Sequence, residues 1–446
     1  MRKRDDWIYC TVHPSSPIAR DIAEKNEGRR RDQPRRRPRK GKLHAKTENG
    51  RLHTLKNHGE VRAGHGAVAV VGGSAAGFYT AGLLARAGRD VRVLERAEEL
   101  SPAARTLIVT SRMREMLGAA GEGAVVNEIR RFELFTDGRA ATVALAKPDL
   151  IIERAKLIRG LAEQAQAAGA KVELGRRFLK LEPNGHELAL AVERSRDGVQ
   201  EELRAETVVG ADGAVSRVAQ AAGWPRQETV PLVQAIVPLP ADYPAKTVRV
   251  WFVPEDTPYF YWLIPESESQ GALGLIGEDG KETRQCLERF LERKGYSALG
   301  FQGARIPAYT GWVPVERRVG NGRVYLVGDA AGQVKVTTVG GIVTGFRGAL
   351  GVVQAILNGG RSRELGRLRR ELNLHLLIRK AIHRFQQRDY SRLVDLLNDA
   401  ARESLGVHSR DEAGRVLWNI CKSQPRLLLM GLRGLMTRGT VLRTKT

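Results

Sequence analysis

The stretch Val68-Ala69-Val70-Val71-Gly72-Gly73-Ser74-Ala75-Ala76-Gly77 decides the fold of this chain. Its first four residues are apolar, which predicts a short buried strand. The residues from Phe78 to Ala87 predict a helix that Gly88 closes, and residues 90–95 predict a second strand. Strand, helix and strand in this order form a βαβ unit with a parallel sheet.

The turn from Gly72 to Gly77 follows the pattern Gly-x-Gly-x-x-Gly, with Ser74 in place of the middle glycine. Such a turn lets the backbone approach a pyrophosphate closely and points helix N–H groups at the anion. Serine is small enough for this approach, and its hydroxyl can donate a hydrogen bond to phosphate. The pattern alone fits a dinucleotide site and an ordinary glycine-rich turn equally well.

Glu95 ends the second predicted strand, 23 residues after Gly72. An acidic residue in this position accepts hydrogen bonds from the ribose hydroxyls of an adenosine. The alternative is an exposed acid that follows a strand without a binding role. Position and strand context together favour the ribose contact, and they strengthen the dinucleotide hypothesis.

Two distant strand ends narrow the predicted cofactor to FAD. Asp212 and Asp329 each follow an apolar run that ends in glycine and other small residues. Asp329 is placed to accept hydrogen bonds from a ribityl chain, and Gly340 and Gly341 begin a predicted helix that runs to about residue 357. The N-terminus of that helix would present N–H donors and a partial positive charge to a flavin, which stabilises the anionic reduced form.

The order of these motifs resembles that of the p-hydroxybenzoate hydroxylase-like flavoproteins, over about residues 67–440. Within that group, residues 328–342, which read Gly-Asp-Ala-Ala-Gly-Gln-Val-Lys-Val-Thr-Thr-Val-Gly-Gly-Ile, resemble the geranylgeranyl reductase family. The resemblance implies bound FAD, reduction by NAD(P)H, and saturation of isoprenoid double bonds on a lipid or another prenylated molecule. Hydride would pass from flavin N5 to one alkene carbon, and an acid or water would protonate the other.

The resemblance also implies roles for single residues. It implies a pyrophosphate contact for Ala76, a position in the loop beside the flavin for Arg105, and a cofactor-supporting role for Arg154. Arg154 also fits an ordinary arginine at the start of a helix. The full set of predicted cofactor-binding residues is Gly72, Ser74, Ala76, Gly77, Glu95, Arg105, Arg154, Asp212, Asp329, Gly340, Gly341 and Ile342.

The chain departs from the family pattern beside the flavin. Many members have Cys-Gly-Gly after the loop arginine, whereas residues 106–109 read Thr-Leu-Ile-Val, so no thiol is available there. A proline and a glycine expected in the later string are Val336 and Val339, and Val343-Thr344 replaces an aromatic pair. The substrate face of the flavin is therefore altered, and the substrate stays open.

The segment Phe260-Tyr261-Trp262-Leu263-Ile264-Pro265 resembles the aromatic-x-Trp-x-Phe-Pro strand of the family. One interpretation is an apolar wall for a prenyl chain, with Tyr259, Tyr261 and Trp262 as substrate-pocket residues. Either tyrosine is then a candidate proton donor. The other interpretation is an aromatic core strand of the second sheet. The segment also resembles the Trp-x-Trp-x-Ile-Pro of flavin-dependent halogenases, with Phe260 in place of the first Trp, but no catalytic-lysine pattern accompanies it.

The predicted fold class is α/β, with a split Rossmann-like FAD-binding domain, an interleaved β-sheet substrate domain and a helical C-terminal region. Turns at Asn184-Gly185 and Asp197-Gly198 predict a three-segment meander over residues 178–209. The predicted domains are a disordered basic extension (1–66), the first part of the FAD-binding domain (67–225), a β-rich substrate domain (226–318), the second part of the FAD-binding domain (319–360) and a helical region (361–446).

Composition limits the other classes of function. The 446-residue chain has a formal net charge of +23, and residues 1–66 hold 18 Lys and Arg against 8 Asp and Glu. Such an extension fits an arm for nucleic acid or an anionic membrane, but an extension without function or a mis-called start codon is the favoured interpretation. Cys10, Cys286 and Cys421 lack CxxC spacing, which argues against a disulfide framework or a zinc site.

No metal site is expected, because the helical-region histidines lack ligand spacing. These residues are expected to be exposed, and they are His375, His383 and His408. Residues 425–436 combine leucines with arginines, which fits peripheral contact with an anionic membrane and equally a helix packed on the body. The chain is expected in the cytoplasm, compatibly with a position at the inner face of a membrane.

Three hypotheses for the function follow from the sequence. The first is an FAD-dependent oxidoreductase that reduces C=C bonds of geranylgeranyl or other isoprenoid chains. The second is a flavin-dependent monooxygenase or halogenase. The third, of another class, is a membrane- or nucleic-acid-binding protein with a vestigial flavin site, and nucleic acid is the less favoured partner.

Overall fold

The computed structural model describes residues 67–436. The predicted basic extension over residues 1–66 lies outside the described residues. The same is true of residues 437–446, the end of the predicted helical region.

A six-stranded sheet is built from distant parts of the chain. Five of its strands, which are neighbours in the sheet, run parallel, and the sixth, at one edge, is antiparallel to its partner. In spatial order the strands are β16 (Glu316–Val319), β17 (Gly322–Leu326), β10 (Thr207–Gly210), β1 (Val68–Val71), β2 (Val91–Leu94) and β6 (Lys171–Glu173).

Helices cover this sheet and form the main core with it. Helix α1 (Ala75–Arg86) packs against α4 (Arg154–Ala167) and α7 (Ile342–Leu357). The four residues of β1 are all buried, as expected for a strand in the middle of a parallel sheet. Shorter helices in this part are α2 (Arg112–Leu117), α3 (Ala119–Glu122) and α5 (Arg217–Ala221).

An eight-stranded sheet forms the second layer, and its pairs are antiparallel except for β12 with β4. Helix α6 (Gly280–Lys294) packs on it through β11 and β14. In spatial order the strands are β15 (Gly300–Pro307), β11 (Thr229–Pro238), β14 (Gln270–Ile276), β13 (Tyr261–Pro265), β12 (Thr247–Trp251), β4 (Val125–Thr136), β5 (Arg139–Glu153) and β3 (Thr106–Val109). Three of these strands, β3 to β5, come from before residue 226, so the sheets interleave more closely than the predicted boundary implies.

The predicted meander forms a three-stranded sheet of β7 (Arg176–Asn184), β8 (Glu187–Arg194) and β9 (Gln200–Ala205). The last predicted segment, residues 201–209, is divided. Strand β9 ends at Ala205, and β10 begins at Thr207 and joins the parallel sheet. The division follows burial, because β9 is partly exposed whereas every residue of β10 is buried.

The C-terminal part is helical, as predicted. Helix α8 (Arg363–Ile382) packs against α7, α10 (Asp399–Val407) packs on β5, and α12 (Pro425–Met436) packs on α8. No helix within residues 67–436 is both long enough and apolar enough to span a bilayer. The helices are α8 (Arg363–Ile382), α9 (Gln387–Asp395), α10 (Asp399–Val407), α11 (Ala413–Ser423) and α12 (Pro425–Met436).

The α/β fold class is thereby confirmed, with strands of one parallel sheet drawn from both ends of the described chain.

Candidate flavin-binding site

The glycine turn has the backbone that an anion site needs. Gly72 has a φ of +107°, and a Cβ on it would lie 2.6 Å from the Ala211 carbonyl oxygen. A Cβ on Gly77 would lie 2.3 Å from the Gly72 carbonyl oxygen. Both positions therefore exclude side chains, and the strand end lies directly against the start of α1.

Ser74 caps helix α1, since its Oγ accepts a hydrogen bond of 3.1 Å from the Gly77 N–H. The cap makes the helix begin at Ala75, earlier than the predicted start at Phe78. The first N–H groups of a helix, here those of Ala75 and Ala76, have no acceptor within the helix. They are the donors that a pyrophosphate would take.

Glu95 lies beside this turn at the end of β2. Its carboxylate accepts a hydrogen bond of 2.6 Å from the Gly73 N–H and one of 3.0 Å from the Ala97 N–H. The side chain is half-buried. Two backbone donors therefore hold the carboxylate at the edge of the turn, and its other lone pairs stay available for ribose hydroxyls.

Asp212 has mainly a structural role. Its carboxylate accepts hydrogen bonds from the Ser216 hydroxyl at 2.5 Å and from the N–H groups of Arg217 and Val218 at 2.7 and 3.2 Å. Burial raises the pKa of Asp212, and these hydrogen bonds oppose the rise. Its Cα lies 2.9 Å from the place of a Cβ on Gly72, so the residue shapes the floor of the turn. A direct contact of Asp212 with a cofactor stays a prediction.

A loop over residues 328–341, here called the flavin loop, joins β17 to α7. It begins with a 3-10 turn, Gly328–Ala331, and Gly341 is the N-cap of α7. The helix thus starts at Ile342, and Gly340 lies before it, where its carbonyl accepts from the Lys335 N–H at 3.1 Å. The predicted start at Gly340 was two residues early.

Asp329 lies near the start of this loop, in its 3-10 turn. A Cβ on Gly341 would lie 3.2 Å from Asp329 Oδ1, so the carboxyl rests against the N-terminus of α7. Burial raises the pKa of Asp329, and the charges of Arg105 and Arg154 oppose the rise. The structure therefore brings Asp329, Gly341 and the two arginines together.

The two arginines are neighbours where β3 and β5 pair. The Arg154 N–H donates to the Arg105 carbonyl at 3.1 Å, and Arg154 Nη1 donates to the Ala103 carbonyl at 3.3 Å. The glycine turn and the flavin loop also meet, since a Cβ on Gly328 would lie 2.9 Å from the Ala76 Cβ. Segments that are 252 residues apart in the chain, at Ala76 and Gly328, therefore pack directly against each other.

These residues fit FAD. The glycine turn brings the end of β1 directly against the start of α1, whose first N–H groups have no acceptor within the helix and could donate to a pyrophosphate. The Asp329 carboxyl rests against the α7 N-terminus, where the ribityl chain and the ring system would lie. The direct contacts of the single residues stay predictions.

Phe260 and Trp262 belong to an apolar cluster that includes Val334 and Val339 of the flavin loop, and Tyr259 packs against the same cluster. Tyr261 lies in a different cluster, stacked on Phe290 at a ring distance of 3.9 Å. Its hydroxyl donates to Asp256 at 2.9 Å and lies 3.1 Å from the Cys286 carbonyl. Neighbours in a strand point to opposite faces, so Tyr261 and Trp262 of β13 lie on opposite sides of the sheet. Tyr259 lies before the strand and packs with the cluster of Trp262, so the structure does not bring Tyr261 together with these two residues.

An aromatic row leads from Trp262 to the C-terminal helices. Trp262 and Phe260 lie 6.1 Å apart between ring centroids, and Phe260 and Phe252 lie 6.3 Å apart. Phe252 stacks on Tyr390 of α9 at 4.7 Å, and Tyr390 meets Phe385 at 5.6 Å. The row gives the flavin-loop side of the second sheet a long apolar wall.

A buried ion pair that was not predicted from the sequence lies behind the flavin loop. Lys335 of the loop pairs with Asp411, which also accepts a hydrogen bond from the Thr110 hydroxyl. Burial alone would raise the pKa of Asp411, but the Lys335 charge and these hydrogen bonds outweigh it and lower the pKa to about 2. The available signal was a lysine between two valines in a string of small and apolar residues.

His375 was expected to be exposed, and this expectation was wrong. The side chain is buried, and Nδ1 lies 2.6 Å from the Thr337 hydroxyl of the flavin loop. Burial lowers its pKa to about 3, so the ring is neutral near pH 7. Within residues 67–436 there is no group of three or more His, Cys, Asp or Glu side chains that could hold a metal ion.

The comparisons with known proteins agree with this site. The profile of the FAD binding domain family matches residues 66–364. Digeranylgeranylglycerophospholipid reductase 1 of Methanopyrus kandleri is 33% identical over 295 residues, which cover 62% of this chain and 76% of that protein. The chain belongs to the geranylgeranyl reductase family. It is an FAD-dependent oxidoreductase, and the predictions of FAD and of this family are confirmed.

One further relative and one solved structure are similar to this chain. The chloroplastic geranylgeranyl diphosphate reductase of Oryza sativa subsp. japonica is 28% identical over 335 residues, which cover 68% of this chain and 70% of that protein. A geranylgeranyl bacteriochlorophyll reductase-like protein from Thermoplasma acidophilum superposes with a TM-score of 0.68 at 18% identity. The match covers 83% of this chain and 99% of that one, and it shows the shared fold.

Proposed function

We propose that this protein reduces C=C bonds of a geranylgeranyl chain carried by a lipid or another prenylated molecule. The observation that carries the proposal is the position of Phe260 and Trp262. They pack in one apolar cluster with Val334 and Val339 of the flavin loop. A prenyl chain has no polar group to bind, so an apolar wall beside the flavin is what such a substrate requires. The substrates named for the relatives have this chemistry.

The residues of the chain bind and orient the cofactor in this proposal. Reduced FAD, when bound, supplies the hydride that adds to one alkene carbon. The turn at Gly72 and the first turn of α1 hold the pyrophosphate, and Glu95 holds the adenosine ribose. The N-terminus of α7 at Gly341 directs N–H groups toward the ring system and favours negative charge there.

We propose Tyr259 as the proton donor to the second alkene carbon. Burial raises the pKa of Tyr259, so the phenol stays protonated at neutral pH and can donate. The Arg379 guanidinium lies 3.8 Å from the centre of the ring and would stabilise the phenolate that results. Tyr261 is less suitable, because its hydroxyl already donates to Asp256 on the opposite face of the sheet.

We propose NAD(P)H as the electron donor, as the family resemblance implies. The proposal places the protein in the cytoplasm, where NAD(P)H is available, with access to a lipid substrate at the inner face of a membrane.

The test uses the purified FAD-loaded protein, reduced with dithionite without oxygen and mixed with a geranylgeranyl lipid. We expect mass spectrometry to show the gain of one H2 per reduced bond. An unchanged lipid mass would overturn the proposal. Oxygen-dependent consumption of NAD(P)H with a hydroxylated or halogenated product would instead identify a monooxygenase or a halogenase.

A further inference from the structure

Helix α12 is apolar on both of its faces. Its twelve residues, Pro425–Met436, contain five leucines and two methionines, and its only charged residues are two arginines. A helix that is apolar all round is normally buried on all sides. In this protein one face of α12 lies on the body and the opposite face points outward.

The inner face is fixed by close packing. Gly434 is buried, and a Cβ on it would lie 2.7 Å from the Ala381 carbonyl oxygen and 3.2 Å from the Phe385 ring. Arg384 Nη1 donates to the Leu435 carbonyl at 3.2 Å. Helix α12 therefore lies directly on α8 and on the end of the aromatic row.

The outer face is a continuous apolar stripe. Leu429 is 64% exposed and Met436 is 74% exposed, and Leu428 and Leu432 of the same helix are also exposed. Residues three, four and seven apart lie on one side of a helix, so these four side chains form a single row. Within residues 67–436, nothing else in the fold covers them.

The charge around this stripe has one sign. Arg426 and Arg433, seven residues apart, lie along one flank, and both are exposed. Trp418 of the preceding helix α11 is exposed, and Lys422 lies 4.9 Å from the centre of its ring. Residues 413–446 contain seven Lys and Arg and no Asp or Glu. An apolar row flanked by cations is what the surface of an anionic membrane binds.

We propose that α12 is a membrane-docking surface, with its leucines in the lipid interface and its arginines on anionic headgroups. The inference deepens the proposed function and rests on it for its purpose, because a prenyl lipid must be taken from a membrane. The contact of Gly434 with Phe385 places this surface at the outer end of the aromatic row that leads to Trp262.

Two other occupants fit the charges less well. A second copy of the chain that used the same surface would bring its own Arg426 and Arg433 against those of the first copy, since a two-fold contact pairs a patch with itself. The basic extension over residues 1–66 carries the same sign of charge as the surface. Like charges oppose both contacts, whereas anionic lipid complements the surface.

The test is sedimentation of the full FAD-loaded chain with vesicles of phosphatidylcholine alone or mixed with phosphatidylglycerol. We expect binding to the mixed vesicles. The double substitution Leu429→Ser and Leu432→Ser should weaken binding to the mixed vesicles by roughly tenfold or more. Each leucine side chain moves apolar surface out of water into the lipid, and serine does not. Lys422→Glu with Arg426→Glu should weaken binding by at least roughly fivefold per charge. Leu299→Ser is the matched control, because Leu299 is 65% exposed and lies before β15.

The outcomes separate the docking surface from the other occupants and from the reaction. Equal binding by the Leu429→Ser/Leu432→Ser protein and the unaltered chain overturns the proposal, as does binding that high salt abolishes completely, which marks a purely ionic contact. A dimer in light scattering that the same variant disperses overturns it in favour of a second copy.

Turnover is measured in parallel on the same lipid in detergent and in vesicles. A variant that keeps its FAD and its detergent turnover but loses vesicle turnover supports the docking surface. In another outcome, neither the unaltered protein nor a variant reduces the lipid in detergent while vesicle binding follows the expected pattern. In that case the proposed reaction is wrong and the docking surface is supported.

Discussion

Lys335 and Asp411, 76 residues apart, form a buried ion pair that joins the flavin loop to the C-terminal helices. The side chain of Lys335 lies along Gly340, because a Cβ on that glycine would lie 3.5 Å from Lys335 Cε. The pair therefore anchors the segment immediately before the N-terminus of α7. The position of that N-terminus depends on a residue from another part of the fold.

Asp411→Asn should destabilise the protein by about 3–5 kcal/mol, because it removes the carboxylate that pairs with the buried Lys335 ammonium. The free energy of unfolding from urea titration of the FAD-loaded protein measures this. The double variant Lys335→Met/Asp411→Leu should recover most of the loss, since neither charge is then buried.

A matched control for this pair is Glu182→Gln. Glu182 and Lys180 form an ion pair with both side chains more than half exposed, and its loss should cost less than about 1 kcal/mol. Equal losses from Asp411→Asn and Glu182→Gln would contradict the role given to the buried pair.

Gly77→Ala should weaken the binding of FAD. The added Cβ would lie 2.3 Å from the Gly72 carbonyl oxygen and would force apart the turn that receives the pyrophosphate. We expect an FAD affinity lower by roughly tenfold to a hundredfold, from the usual cost of overpacking. Flavin fluorescence titration checks this, with Gly280→Ala as a control, because a Cβ on Gly280 would meet nothing within 4 Å. Undiminished FAD binding by the Gly77→Ala protein would place the pyrophosphate elsewhere.

Glu95→Gln should lower the affinity for FAD by roughly tenfold, because hydrogen bonds to a charged group contribute about 1.5–3 kcal/mol. The amide oxygen can still accept from the Gly73 N–H, whereas the amide NH2 group cannot accept from the Ala97 N–H. Affinity for FAD, measured by calorimetry, is compared with that of Glu99→Gln, an exposed acid four residues later. The ribose contact is disproved if both variants bind FAD alike.

Phe260→Ala should raise the KM for a geranylgeranyl lipid while the rate of FAD reduction by NAD(P)H stays unchanged. The reason is that Phe260 packs with the flavin loop and not with the pyrophosphate turn. Tyr261→Phe should cost about 1 kcal/mol of stability, through the lost hydrogen bond to Asp256, and leave the KM unchanged. Steady-state kinetics on both variants decide, and a KM change in Tyr261→Phe alone would reverse the assignment of the two faces.

His375 should make stability depend on pH. Its pKa falls from 6.5 in the unfolded chain to about 3 in the folded protein, chiefly through burial and also through the Lys335 charge. Between these values the unfolded chain binds a proton that the folded chain does not. The contribution of His375 to the free energy of unfolding is therefore fully present above pH 6.5. It falls by about 1.4 kcal/mol per pH unit as the pH decreases toward 3.

His375→Gln should reduce this slope in urea titrations between about pH 6 and pH 4. Asp149 and Glu371 act in the opposite sense, because burial raises their pKa values. The test therefore compares the slope of the His375→Gln protein with that of the unaltered protein and does not use the absolute slope. His186→Gln, on an exposed turn, is the control substitution. An identical slope in the His375→Gln protein would contradict the prediction.

The parts of the site that could be predicted are those whose backbone geometry demands particular residues. Gly72 and Gly77 are such positions, because any Cβ there meets the neighbouring backbone. For the aromatic segment over residues 260–265, the sequence did not show which face of the strand packs with the flavin loop. Alternation separates Tyr261 from Trp262, but which side of the strand faces the flavin loop depends on the packing of α6.

Element boundaries differed where a side chain or burial intervened. The Ser74 hydroxyl started α1 three residues before the predicted position, because it satisfies the Gly77 N–H. Thr207–Gly210 is buried on both sides and pairs in the parallel sheet, not in the predicted meander. Neither effect changes the periodicity of the local sequence, which is the signal that the predictions used.

By itself, the sequence determined that this protein binds FAD on a split α/β fold, because a glycine turn, an acid after a strand and a Gly-Asp strand end are local requirements of backbone and ligand. Only the tertiary structure decided that Lys335 is paired with Asp411, that His375 is buried, and that the outer leucines of α12 are uncovered. Each of these depends on which surfaces meet after folding. The sequence shows which residues are apolar or charged, but only the packed structure shows which residues they contact.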